Sequence, residues 1–246
     1  MLTFAQKKLL WGGLIALFTA VLVNACLYLG IFEELELKAF DLRAKYFSKV
    51  KQPSKEIAVI LIDEASLRSM NPVVGRWPWP RSVHADVIDF LALGGARAVL
   101  FDILFTENER VPGAPPGSVG PNDARLAESA ASSGNVYQAV QILIDSEDEY
   151  NKGLLGKPLP ADFVERFSVN PPPPPPLLKG GTQGIWAEPN NNYYIPFPEL
   201  YRASKGAGVV EFAPDKDGIY RRTKLFRHYQ GAFYPVLSIA PLIDVL

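Results

Sequence analysis

From Leu9 to Phe32 the chain reads LLWGGLIALFTAVLVNACLYLGIF, a run with no charge in which only Thr19 and Asn24 are polar. It predicts a transmembrane helix over 9–32, because at a rise of about 1.5 Å per residue such a run crosses a hydrocarbon layer of roughly 30 Å. A removable signal peptide has a shorter apolar core, of about 7–15 residues, whereas this run continues through Leu27, Tyr28, Leu29 and Ile31. Val23-Asn24-Ala25-Cys26 loosely resembles a lipoprotein cleavage site, but Asn24 fits that pattern poorly and more apolar residues follow. Lys7 and Lys8 precede the span and Glu33, Glu34 and Glu36 follow it, which puts residues 1–8 in the cytoplasm. Lys38, Arg43, Lys45, Lys49 and Lys51 pull the other way under the positive-inside rule, yet long folded domains translocate despite such charges.

After the span the pattern changes. Residues 33–50 predict a helix with Leu35, Ala39, Leu42 and Tyr46 at three- and four-residue steps, a stripe suited to a core. Residues 51–56 read as a linker, and Glu56 to Ile62 as a continuous apolar strand ending at Asp63. A helix is expected from Ser82, as N-cap, to Gly94-Gly95, with Val83, Val87, Phe90 and Leu91 as its buried face. Residues 96–103 give a second strand, and strand–helix–strand order implies parallel pairing with a right-handed crossover. A loop over 106–121, a helix over 123–132 and a third strand over 136–144 complete an α/β pattern. Residues 145–192 interrupt it as an insertion, partly mobile, containing the proline run 171–176, which suits a polyproline II spacer, and the polar cluster 188–192. Last come an antiparallel hairpin, 208–213 with 219–228 turning at 214–218, and a helix from about Tyr234. The expected fold is thus a transmembrane helix followed by one α/β domain, 33–246, with a mixed, mainly parallel sheet and a C-terminal hairpin.

Composition narrows the function. Basic and acidic residues number 25 and 26, so no nucleic-acid surface is indicated. Cys26 is the single cysteine, and His84 and His228 are the two histidines, which leaves no disulfide framework and no Cys/His metal cluster. No glycine-rich phosphate loop, nucleophile elbow or Ser/His/Asp set is present, and no cofactor is expected. Asp215 and Asp217 open like a calcium loop, but the positions that need glycine and glutamate hold Tyr220 and Phe226.

The candidate chemistry lies around GRWPWPRS, residues 75–82. Each proline fixes its own φ and pushes the preceding residue to extended geometry, so Trp77 and Trp79 sit on a stiff arm. Asp63, Glu64 and Asp102 fall at or near the carboxyl ends of predicted strands, where open α/β sheets bind ligands. They form either an oxygen-only cation site or a phosphoryl-accepting aspartate, or else Asp63 caps a turn and Asp102 is held by amides or an arginine. Arg81, with Arg76 as alternative, is the expected partner of Asp63 or Asp102. The arm then either closes the sheet edge or walls a ligand with Trp77 and Trp79.

FDLRAKYF at 40–47, IAVILIDEASL at 57–67, GRWPWPRSVHADVIDFLALGGARAVLFDILF at 75–105 and DKDGIYRR at 215–222 together resemble the type-two CHASE sensor domain. The resemblance covers most of 33–246 apart from the proline-rich insertion. It implies an extracytoplasmic sensor anchored in the bacterial cytoplasmic membrane, with an adenylate or guanylate cyclase, histidine kinase or serine/threonine kinase as output. No cyclase or kinase residues occur here, so no catalytic site is expected in this chain, either a fragment or a shortened gene product. Implied partners are the bilayer, an extracytoplasmic ligand or protein, and a second copy in a homodimer. Two other readings are weighed: a dimerisation module without a small-molecule ligand, and a metal enzyme using Asp63, Glu64 and Asp102.

Overall fold

A computed structural model describes residues 4–30, 32–47, 54–115, 117–143, 158–169, 192–210, 214–215, 217–229 and 231–243. The proline run 171–176, residues 188–191, the predicted strand end 211–213 and the predicted helix end 48–50 lie outside the described residues. Two compact units divide the chain, 1–61 and 62–246.

The first unit contains α1 (Phe4–Tyr28) and α2 (Glu33–Phe47). The apolar window of α1 spans Leu10–Tyr28 and none of it is buried within the protein. Its two polar side chains bond their own helix: Thr19 donates to the Ile15 carbonyl at 2.9 Å and Asn24 to the Ala20 carbonyl at 2.8 Å. That lowers the cost of placing them in hydrocarbon. Gly30, at φ 68°, ends the run before α2 begins. The expected core stripe of α2 is corrected: Leu35, Ala39, Leu42 and Tyr46 are exposed, and Leu37 is the buried position. The predicted strand over 56–62 is corrected too. Those residues join no strand, and Ile57, Val59, Ile60 and Leu61 are exposed.

The second unit opens with α3 (Glu64–Val74), a helix not predicted, and continues with α4 (Arg81–Leu93), β1 (Val99–Phe101), α5 (Pro121–Ser133) and β2 (Val136–Leu143). Then follow α6 (Ala161–Phe167), β3 (Asn192–Tyr194), α7 (Pro198–Ala203), β4 (Gly206–Val209), β5 (Phe226–Tyr229), β6 (Ala232–Pro235) and α8 (Ala240–Ile243). The sheet is mixed, with β2 at its centre. β1 and β4 pair with it in parallel, as Val99↔Val136 and Tyr137↔Gly206, while β3 pairs antiparallel as Ile142↔Tyr193.

Alternation along β2 sends successive side chains to opposite faces. Val136 joins a cluster with Ala85 and Ile88 of α4, Leu126 and Ala130 of α5, Leu200 of α7, and Phe101, Phe105 and Phe197. Val140 and Ile142 join a second, with Phe163 and Phe167 of α6, Tyr201, Tyr229 and Tyr234. Tyr137 and Ala139, on the other face, meet Leu237 and Ala240. A fully buried side chain of this kind contributes about 1.5–3 kcal/mol.

Several boundaries differ from expectation for local reasons. Pro80, not Ser82, occupies the N-cap of α4, with no side-chain cap bond. Leu91 packs against the core as expected, but Phe90 is 75% exposed and His84, Ala85 and Ile88 face inward, so the buried face is partly rotated from the one expected. Inside the expected insertion, α6 is an ordered helix with Phe163 and Phe167 buried. The C-terminal hairpin is β5–β6, joined as Tyr229↔Ala232, while residues 206–209 form a parallel strand of the main sheet. Tyr234 therefore lies in β6 rather than at a helix start.

Candidate functional site

The tryptophan arm lies between α3 and α4 in neither helix nor strand, and its Trp77–Pro78 bond is cis. Trp79 is buried, while Trp77 is 44% exposed and meets it edge-on at 5.4 Å between ring centroids. Beneath both lies His84, 6.0 Å from Trp77 and 6.3 Å from Trp79, with Phe105 at 5.2 Å and Phe101 at 6.1 Å on its other sides. Burial in this box of rings, with the charge of Arg81 close by, lowers the imidazole pKa to about 4. His84 is thus neutral at ordinary pH.

Arg81 stands at the first residue of α4. Its Nη2 donates to the Glu107 carbonyl at 2.8 Å and its guanidinium lies over the Phe105 ring, 4.8 Å from the centroid. Its Nε is 3.4 Å from Oδ1 of Asp123, a wholly buried carboxylate in the first turn of α5. The other oxygen, Oδ2, accepts from the Glu109 backbone N–H at 2.7 Å. Glu109 returns the favour to α5 by accepting from Asn122, backbone N–H at 2.8 Å and side-chain amide at 2.7 Å. A side chain at Gly120 would overlap Glu109, so glycine leaves room for that reciprocal cap. These bonds tie the end of the arm, the loop after β1 and the start of α5 together.

The acidic set expected at the strand ends does not assemble. Asp63 caps α3, accepting from the Ser66 backbone N–H and hydroxyl, each at 2.8 Å. Those two bonds lower its carboxyl pKa. Glu64 points along the same helix to Arg68, 3.5 Å away and exposed. Asp102, one residue past β1, is exposed. Arg81 therefore pairs with Asp123, not with Asp63 or Asp102, and Arg76 is exposed. Among the described residues no three His, Cys, Asp or Glu side chains are grouped to hold a metal ion. Of the alternatives weighed for this acidic set, Asp63 follows the capping one, and the arrangement lends no support to the cation-site or metal-enzyme readings.

Sequence reasoning missed Asp123, Glu109 and the inward-facing His84. For Asp123 a signal existed, since an acid in the first turn of a helix serves its N-terminus. A separate fork occupies DKDGIYRR: Arg221 bridges Asp215 at 3.2 Å and Asp217 at 2.7 Å, and Arg222 reaches Asp215 at 2.7 Å. The Arg221 bonds bring the Asp217 carboxyl down to about 2.

The site thus comprises an arginine held by Asp123 and the Glu107 carbonyl, a neutral imidazole and a half-exposed tryptophan, an arrangement that holds the arm in place. It offers no nucleophile beside a base among the described residues. No curated protein and no solved structure matches the chain. The family model of the CHASE2 domain matches residues 16–246, from within α1 through all of the second unit. The chain belongs to the CHASE2 domain family, extracytoplasmic sensory domains of signalling proteins that receive signals and do not catalyse reactions.

Proposed function

We propose that this chain is the signal-input part of a bacterial membrane signalling protein. In this reading α1 spans the cytoplasmic membrane once, residues 1–8 are cytoplasmic and residues 33–246 lie outside. The output is an adenylate or guanylate cyclase or a protein kinase, and the arm of Trp77, Trp79 and Arg81 borders the place where a ligand or partner acts. The family match carries this reading, because it runs from the apolar helix to the far end of the second unit. Signalling requires a ligand or partner with different affinity for two states of the domain.

The test uses the chain fused to a nucleotide-cyclase output. Deleting two residues around Lys38 rotates everything beyond by about 200° on a 3.6-residue helix and should change cyclic-nucleotide production. Unchanged production counts against signal transfer through α2. The exposed Phe90 and Leu93 on α4, 75% and 90% accessible, favour a second reading, a dimerisation module without a small ligand. Concentration-dependent dimerisation with no ligand-induced change in output would support it.

A further inference from the structure

α2 carries Leu35, Ala39, Leu42 and Tyr46 at steps of four, three and four residues, the spacing of a heptad seam with leucine at both d positions. All four are exposed, and so is Phe32, which continues the line towards α1. Leu37 lies about half a turn away around the helix and is buried, so the covered side of α2 and the apolar seam stand back to back. Three glutamates in the first turn and Lys45 in the last suit the helix dipole and help α2 keep its shape. What the seam lacks is a cover.

The joint to α1 points to what covers it. The Glu33 N–H donates to the Gly30 carbonyl at 3.0 Å and the Glu36 N–H to the Phe32 carbonyl at 2.9 Å. α2 therefore leaves the apolar helix through a hydrogen-bonded turn rather than a slack linker. Copies of this chain anchored by α1 in one bilayer point the same way and present α2 at the same height. Two such helices meet with identical residues level, the arrangement in which leucine at d packs knobs into holes. Confinement to one plane raises the effective concentration of each copy for the other.

We propose that α2 pairs with α2 of a second copy of this chain as a parallel two-stranded coiled coil, with Leu35, Ala39, Leu42 and Tyr46 in the seam. The register makes a further demand. It puts Lys38 at a g position and Arg43 at the next e position, and these face each other across a parallel pair. Lys38 of each copy thus meets Arg43 of the other, a repulsion that offsets part of what two short heptads contribute. A helix of 15 residues with such flanks pairs weakly without the anchors that hold both copies together. The parallel direction rests on the membrane reading above, whereas the α4 patch named there would join copies through a different face.

Single thiols in a Cys26→Ala background test the register. The full chain in its membrane is oxidised with copper phenanthroline, and disulfide-linked dimers are measured. Ala39→Cys and Leu42→Cys probe the seam, while Glu34→Cys and Phe40→Cys are exposed but off it. Dimer yields in the seam should exceed those off it by at least about fivefold, because a disulfide needs Cα atoms within about 7 Å. Lys38→Glu turns the flanking repulsion into attraction and should raise the Ala39→Cys yield about threefold. Equal yields at all four positions, no dimer in the seam, or no gain from Lys38→Glu overturns the proposal. Labelling of the off-seam thiols by an impermeant maleimide on spheroplasts reports the membrane reading separately. Outside labelling with no links in the seam overturns the pair and leaves that reading standing. Links in the seam with labelling only after permeabilisation support the pair and overturn the outward placement.

Discussion

Val140, at the centre of β2, is 2% exposed, whereas Val59, within a run that is if anything more apolar, is 78% exposed. Both stretches are rich in β-branched residues. What separates them is architecture: β2 has a parallel partner on each side, an antiparallel partner along its last residues, and helices over one face. Residues 56–62 join no strand. The reverse mismatch occurs inside β2, where Gln138 is polar and yet has no exposure at all. Apolar content measures what a segment gains if covered; ladder partners and layers decide whether it is covered.

The sharpest way to break this contrast is a charge at each site. Val140→Asp places a carboxylate where nothing can pair with it, and a loss above about 4 kcal/mol, seen as an unfolded second unit in denaturant melts, is expected. Next in size is Asp123→Ala, which strands Arg81 and the Glu109 N–H; a cost of about 3–5 kcal/mol is expected, with the arm loosened as read by Trp77 and Trp79 fluorescence. Gly208→Ala follows. Its new Cβ would stand 2.3 Å from the Leu237 Cα, so backbone must shift, and a cost of about 1–3 kcal/mol by thermal melt is expected.

A further effect, comparable in size across the full window but small near neutral pH, depends on pH. His84 titrates near 4 in the folded protein and at 6.5 ordinarily, so between these values the unfolded chain binds a proton that the folded one refuses. Stability should be level above pH 6.5 and fall as pH drops towards 4, with a slope up to about 1.4 kcal/mol per pH unit from this group. In His84→Phe that part of the slope should vanish. The smallest effect belongs to Val59→Asp, expected within about 0.5 kcal/mol of wild type. A loss comparable to that of Val140→Asp would show that the two runs share one environment and would dissolve the contrast.

Much of the fold was legible in the sequence where local signals agree. α5 has proline in its first turn, a buried stripe and a left-handed Gly134 at its end, and it forms within two residues of the expected span. β2 was recognised from its apolar run and flanking turns. The turn expected at 214–218 does form, with the Gly218 N–H donating to the Asp215 carbonyl at 2.8 Å and the Asp215 N–H to the Ile219 carbonyl at 2.9 Å, and its aspartates also hold Arg221; the hairpin was misplaced because the paired strands are β5 and β6, whose turn is marked mainly by Gly231. Arg81 was identified and its partner was not, since Asp63 and Asp102 are near in sequence whereas Asp123 reaches it through packing of α5 on α4. For the tryptophans, an arm could be inferred from the prolines, but not which ring is covered, since that depends on His84 turning inward.

The central claim, a sensory body held outside the cytoplasmic membrane by α1, is tested most directly by labelling. In a Cys26→Ala background Asp102→Cys gives a single thiol at an exposed position of the second unit. Intact spheroplasts are treated with a membrane-impermeant maleimide, before and after permeabilisation. Full labelling before permeabilisation is the expected result; labelling only afterwards would place the second unit inside the cell and contradict the account.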